Sequence, residues 1–195
     1  AVNQCGDPRV ALGRLPLTSI DEMKVYLEKV TRWLYYSETS ASELALFGGK
    51  AFPRADVYVG ELGALNTINT DRANWRGLKK FFRSGQSYDK PSVLELVQGK
   101  QPSHLVYFVG HGNGNRWYVE KDYVTANEVL NSVPVQSDTS VLPLIVSIAC
   151  TNAAFDEGMM QNPVLAKVEQ DGNLSVGVAL LRSKAGAVAY IGSAR

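Results

Sequence analysis

The chain has 195 residues, of which 45% are hydrophobic, and this size and composition suit one compact domain with a substantial core. Its 20 Lys and Arg residues nearly balance its 19 Asp and Glu residues, so the charge does not indicate a nucleic acid or an acidic polymer as a partner. No apolar run is long enough to span a membrane, and the N-terminal residues lack the pattern of a signal peptide. We therefore expect a local site to determine the binding partners.

The first predicted elements are a short strand at 10–12 and a helix that follows it. Thr18 or Ser19 caps the helix, and acidic residues occupy its first turn. Five apolar residues of this helix share one face: Ile20, Met23, Leu27, Val30 and Leu34.

Strands are predicted next at 43–47 and 78–82, with weaker signals for a strand at 55–60. Pro91 is placed at the first position of a further helix, where its missing N–H costs nothing. Thr125 and Glu128 have the spacing of a capping box and predict another helix start.

Two continuous apolar runs, at 104–110 and 142–149, predict buried parallel strands. A final helix at 174–184 leads into a last strand at 187–191. This order of elements predicts an α/β fold with a mainly parallel central sheet flanked by helices.

Both buried strands end at residues that carry chemistry. His111 and Gly112 follow the first strand, and Cys150 follows the second. Because active sites of open α/β sheets lie beyond the carboxyl ends of the strands, we expect both side chains at one edge. An imidazole near a thiol lowers its pKa and protonates a leaving amine, while the N–H groups of Gly112 and Cys150 form an oxyanion hole.

Structural interpretations compete with these roles. A single Cys after an apolar strand is usually a small buried hydrophobe, but a Cys and a His at two strand ends favour a reactive pair. His104 lies at the opposite end of its strand and is interpreted as non-catalytic. Trp117 is a candidate wall of a substrate groove, with a core position as the alternative. Cys5 lies in a polar terminal segment and does not share the placement of Cys150.

An apolar strand with His-Gly, a spacer and an apolar strand with Ala-Cys resemble the caspase-like cysteine peptidases. Within that group the chain is similar to the gingipain family. The resemblance rests on four segments in the family's order: VALGRLPLTSIDEMKVYLEKVTRWLYY, YFVGHGNGNRW, LPLIVSIACTNAAFD and GVALLRSKAGAVAYIGS. It implies a caspase-like three-layer α/β sandwich over residues 1–195, incomplete at both ends.

The resemblance also implies an endopeptidase that works through a Cys-His dyad without a cofactor or catalytic metal. Its best-known preference is cleavage after Arg or Lys, and its members are secreted or displayed at the bacterial cell surface. The expected substrates are therefore proteins or peptides with basic residues. An amine-accepting transpeptidase of a secretion system and a catalytically silent binding module remain alternatives.

Members of the family carry an acidic residue that orients the histidine, but Lys50 stands at the nearest equivalent place. Asp56 is the first candidate for this orienting acid, and Glu61 is the first candidate for a pocket that binds a basic side chain. Asp156 lies within reach of substrate just after the nucleophile. Arg195 is hypothesised to be a processing site, with a second chain completing the fold; the alternative is an end without biological meaning.

Overall fold

A computed structural model describes most of the predicted core elements. The described residues are 13–37, 42–48, 75–81, 89–100, 103–119, 122–133, 142–153 and 174–193. Within them, five strands form one parallel sheet in the order β2-β1-β3-β7-β8. These strands are β1 (Ser42–Gly48), β2 (Trp75–Phe81), β3 (Leu105–Val109), β7 (Leu144–Ile148) and β8 (Ala189–Gly192).

A smaller antiparallel sheet follows β3 and consists of β4 (Gly112–Asn113), β5 (Arg116–Val119) and β6 (Asp122–Thr125). The described helices are α1 (Ile20–Ser37), α2 (Lys90–Val97), α3 (Ala126–Leu130) and α4 (Val176–Arg182). The predicted α/β fold with a parallel sheet and flanking helices is confirmed. The small sheet was not predicted.

The helix-start signals of the sequence are confirmed by capping contacts. Thr125 accepts a hydrogen bond from the Glu128 N–H at 3.1 Å, and the Glu128 carboxylate accepts from the Thr125 N–H at 2.9 Å. This capping box satisfies donors that the first turn of α3 leaves free. Asp89 caps α2, with Pro91 in its first turn as predicted.

Helix α1 is packed through a different face from the one its apolar pattern indicates. Tyr26 donates to the Val188 carbonyl at 3.0 Å, and the ammonium of Lys29 lies against the C-terminal end of α4. Four of the five apolar residues on the predicted face are instead exposed: Ile20, Met23, Leu27 and Leu34. An amphipathic pattern marks two faces, and here the polar and aromatic face makes the described contacts with the domain.

The main core lies on one side of the sheet and contains Trp117. This side chain is only 1% exposed, and its ring stacks on Phe108 with 4.9 Å between centroids. Trp117 is therefore a core residue, which is the alternative that the sequence left open. The reason is the pairing of β5, which turns Trp117 inward while its neighbour Tyr118 is exposed.

Several predicted features lie outside the described residues. They include the strands at 10–12 and 55–60, Cys5, Lys50 and the chain end at Arg195. The extent of the domain and its completion by a second chain therefore stay predictions. No helix within the described ranges is long and apolar enough to cross a membrane.

Candidate active site

The two candidate reactive residues follow adjacent strands at the same edge of the sheet. Strands β3 and β7 pair in parallel, and Val109 lies opposite Ile148 at the end of the ladder. The pairing continues one step further, because the Gly110 N–H donates to the Ile148 carbonyl at 3.1 Å. His111 and Cys150 each stand two residues beyond the last registered pair, and both are exposed. Cys150 is a free thiol.

A hairpin begins directly after His111 and fixes how Gly112 is presented. The Tyr118 N–H donates to the His111 carbonyl at 3.0 Å, and Gly112 lies opposite Trp117. In an antiparallel ladder this bond makes Gly112 and Trp117 a non-hydrogen-bonded pair. The N–H of Gly112 therefore points away from β5 and is not used in the ladder with that strand.

The turn after Cys150 places Asn152 in the protein interior. Thr151 has a φ of 54°, an uncommon left-handed conformation for a β-branched residue, and Asn152 is 0% exposed. The Nδ2 atom of Asn152 donates to the carbonyls of Asn113 and Arg116, both in the hairpin that follows His111. The segments that follow His111 and Cys150 are thus directly hydrogen-bonded to each other.

Three buried polar atoms belong to the side chains of Tyr190, Ser147 and Trp117. Burial raises the pKa of Tyr190 well above its usual range, and its neighbours Ser147 and Trp117 act in the opposite direction. Within the described residues, the Tyr190 hydroxyl, the Ser147 hydroxyl and the Trp117 indole N–H have no partner at normal hydrogen-bond geometry. The Tyr190 side chain therefore remains neutral, and its ring stacks on that of Trp117 with 6.4 Å between centroids.

Three predicted site residues cannot be located in this geometry. Asp56, Glu61 and Asp156 lie outside the described residues, so their roles stay predictions. His104 is buried and directly precedes β3, at the opposite end of the strand from His111, which agrees with its interpretation as non-catalytic. In the described part of the chain no group of three or more His, Cys, Asp or Glu residues is arranged to hold a metal ion.

A comparison with family models identifies the relatives of this chain. The model of Peptidase family C25 matches residues 4–195. The chain belongs to the C25, or gingipain, family. C25 enzymes are cysteine peptidases, so this protein is a hydrolase that acts on proteins or peptides. No curated protein and no solved structure matches the chain significantly.

Membership in the C25 family confirms the resemblance based on the four sequence segments. The contacts of Asn152 were not predicted, although an Asn two residues after Cys150 was visible in the sequence. What could not be read there is that its amide is buried and faces the hairpin of His111. Its partners are backbone carbonyls 36 and 39 residues away, which no side-chain pattern identifies.

Proposed function

We propose that this C25 domain is a cysteine endopeptidase with Cys150 as the nucleophile and His111 as the proton-transfer partner. The observation that supports this most strongly is the parallel pairing of β3 and β7, with the Gly110 N–H bonded to the Ile148 carbonyl. Both side chains leave the sheet at equivalent positions on its carboxyl edge. They are exposed, as groups that meet a polypeptide substrate must be.

In the proposed reaction, the Cys150 thiolate attacks the carbonyl carbon of the scissile peptide bond. The N–H groups of Gly112 and Cys150 hold the developing oxyanion, consistent with the orientation of Gly112 away from β5. His111 gives a proton to the departing amine, and water then hydrolyses the thioester and releases the enzyme. The chemistry needs no metal or organic cofactor.

The proposed preference is for Arg or Lys before the cleaved bond, as the family resemblance implies. A carboxylate in the first pocket would pair with a guanidinium or an ammonium group, and Glu61, Asp56 and Asp156 are the candidates. Secretion or display at the cell surface is proposed on the same resemblance. These finer statements rest on the family and on the sequence positions of the acids.

The decisive experiment compares the wild type with Cys150→Ala, His111→Ala and Cys5→Ala on fluorogenic peptides that differ only in the residue before the cleaved bond. We expect Cys150→Ala to abolish hydrolysis and His111→Ala to lower kcat/KM by at least about 100-fold, the usual contribution of a general acid–base partner. Cys5→Ala controls for loss of a thiol and is expected to retain activity. Hydrolysis by Cys150→Ala would refute the assignment.

Two further arms distinguish the alternatives. An added amine nucleophile yields a conjugate instead of a free acid if the enzyme is a transpeptidase. A silent binding module would cleave no peptide in the series, and alkylation of Cys150 would not respond to replacement of His111. For the proposed peptidase we expect hydrolysis as the main outcome, and slower alkylation once His111 is replaced.

A further inference from the structure

The segment after Cys150 is attached to three different parts of the domain. The Asn152 amide donates to the hairpin of β4 and β5, as described above. The Asn152 carbonyl accepts from the Gly177 N–H at 2.9 Å, at the start of α4. The Ala153 N–H donates to the Ser193 carbonyl at 2.9 Å, just after β8. The turn after Cys150 is therefore hydrogen-bonded to the hairpin, to the start of α4 and to the segment after β8.

Backbone strain occurs at the residue between Cys150 and Asn152. The left-handed conformation of Thr151 is disfavoured for a residue with a side chain, because its Cβ atom crowds the following carbonyl oxygen. Such a conformation persists only where surrounding contacts determine it, and functional sites are where it is commonly found. Here the turn at Thr151 sends the next side chain inward, so the contacts of Asn152 hold the strained turn in place.

The Asn152 amide also lies so close to Gly112 that no side chain fits at position 112. A Cβ atom at Gly112 would lie 2.7 Å from Oδ1 and 2.9 Å from Nδ2 of Asn152, and 3.0 Å from the Arg116 carbonyl oxygen. Contacts under 3.0 Å force one group to move. Glycine at this position therefore does more than expose an N–H to substrate: it leaves room for the amide that joins the two loops.

We propose that Asn152 is a positioning residue that fixes Cys150 relative to His111 and to the oxyanion donor Gly112. The proposal rests on the proposed function, because it assigns Asn152 to the geometry of that same site. Asn152 is fully buried and does not contact substrate; it acts through the two hairpin carbonyls. An amide suits this role because Nδ2 donates two hydrogen bonds, whereas a carboxylate oxygen of the same shape would repel both carbonyls.

The first test measures peptide hydrolysis by Asn152→Asp and Asn152→Ala, with Asp89→Ala as the control. Asp89→Ala loses the cap of α2, which makes no contact with the Asn152 amide, and so reports the effect of a general loss of stability. We expect both Asn152 variants to lose about 100-fold in kcat with KM changed by no more than about 2-fold, because a small misplacement of reacting groups has that effect. The control keeps its kcat below its unfolding temperature.

A second measurement does not depend on turnover. The rate at which iodoacetamide alkylates Cys150 is compared at one pH in the wild type, in Asn152→Ala and in His111→Ala. We expect Asn152→Ala to be alkylated as slowly as His111→Ala, since in both variants the imidazole no longer assists the thiol. An unchanged rate together with an unchanged kcat in folded variants would overturn the proposal.

A third measurement tests the steric contact itself. Gly112→Ala is made alone and in the Asn152→Ala background, and the loss of thermal stability is compared. We expect Gly112→Ala to lower the melting temperature less in the Asn152→Ala background than in the wild type. If the two substitutions lower the melting temperature additively, the steric contact is contradicted. If Cys150→Ala still hydrolyses peptides, the proposed function fails; if only the Asn152 variants keep full activity, the positioning role alone fails.

Discussion

The most specific stability prediction concerns Lys29, a buried cation on α1. Its Nζ atom donates to the carbonyls of Leu181 at 2.8 Å, Leu180 at 3.1 Å and Ala185 at 3.4 Å, and the residue is 4% exposed. Burial lowers the pKa of Lys29 to about 7. The ring of Tyr26 lies 5.8 Å from the ammonium.

Titratable side chains surround the same cleft. Glu28 from α1 contributes a negative charge there, while Arg32 from α1 and Lys184, just after α4, contribute positive charges. Within the described residues no carboxylate forms an ion pair with Lys29, and burial is the cause that lowers its pKa. The charged form of Lys29 is therefore less favourable in the folded chain than in the unfolded chain.

The perturbation is Lys29→Met, which keeps the length of the side chain and removes its charge. The unfolded chain binds a proton at this lysine up to about pH 10.5, while the folded chain releases it above about pH 7. Stability attributable to Lys29 is thus fully present above the higher pKa and is lost as the pH falls through the lower one. At about 1.36 kcal/mol per pH unit, the full effect amounts to about 5 kcal/mol.

The assay is denaturant unfolding of wild type, Lys29→Met and Lys24→Met between pH 6 and pH 10. Lys24 is an exposed lysine on the same helix and serves as the matched control. We expect the free energy of unfolding of the wild type to rise with pH relative to Lys29→Met, and that of Lys24→Met to run parallel to the wild type. If wild type and Lys29→Met run parallel throughout, the three carbonyls fully compensate the buried charge and the reasoning is refuted.

Three further substitutions test packing and capping. Gly177→Ala places a Cβ 2.6 Å from the Tyr190 ring, so we expect thermal unfolding to show a loss of about 1–3 kcal/mol despite the better helix propensity of Ala. Thr125→Ala removes the capping box of α3 and is expected to cost about 0.5–2 kcal/mol in denaturant unfolding, whereas Thr125→Ser keeps most of it. Trp117→Ala is expected to cost about 3–5 kcal/mol in the same assay.

Each of these three has a clear contrary outcome. A rise in melting temperature for Gly177→Ala would mean that the Tyr190 ring moves freely. Equal stabilities of the Ala and Ser variants at Thr125 would mean that the cap contributes nothing. If Trp117→Ala keeps its stability but raises KM for peptides, Trp117 contacts substrate and is not a core residue.

Much of the architecture followed from local patterns in the sequence. The buried strands were visible as continuous apolar runs, and the starts of α2 and α3 were visible as Pro91 and as the Thr125 capping box. The positions of His111 and Cys150 followed because parallel strands end at a common edge. These features depend on residues that are close in sequence or on a general rule for α/β sheets.

Features that depend on tertiary packing were not predictable in the same way. Strand β4 has two residues, too few to produce a pattern, so the hairpin after His111 was missed. The sequence did not determine which face of α1 packs on the domain. One face is apolar, but the other carries Tyr26 and Lys29, which make the contacts. Trp117 is placed inward by the hairpin, and Asn152 finds its partners there.

The sheet order has a consequence for local opening of the fold. Strands β3 and β7 each have a neighbour on both sides, whereas β2 and β8 form the two borders of the described sheet. Fluctuations that expose backbone amides begin at borders and reach interior strands last. Amides of Val106 to Val109 should therefore exchange with deuterium more slowly than those of β8. We therefore expect fraying of the sheet borders to leave the two strands that precede His111 and Cys150 paired with each other.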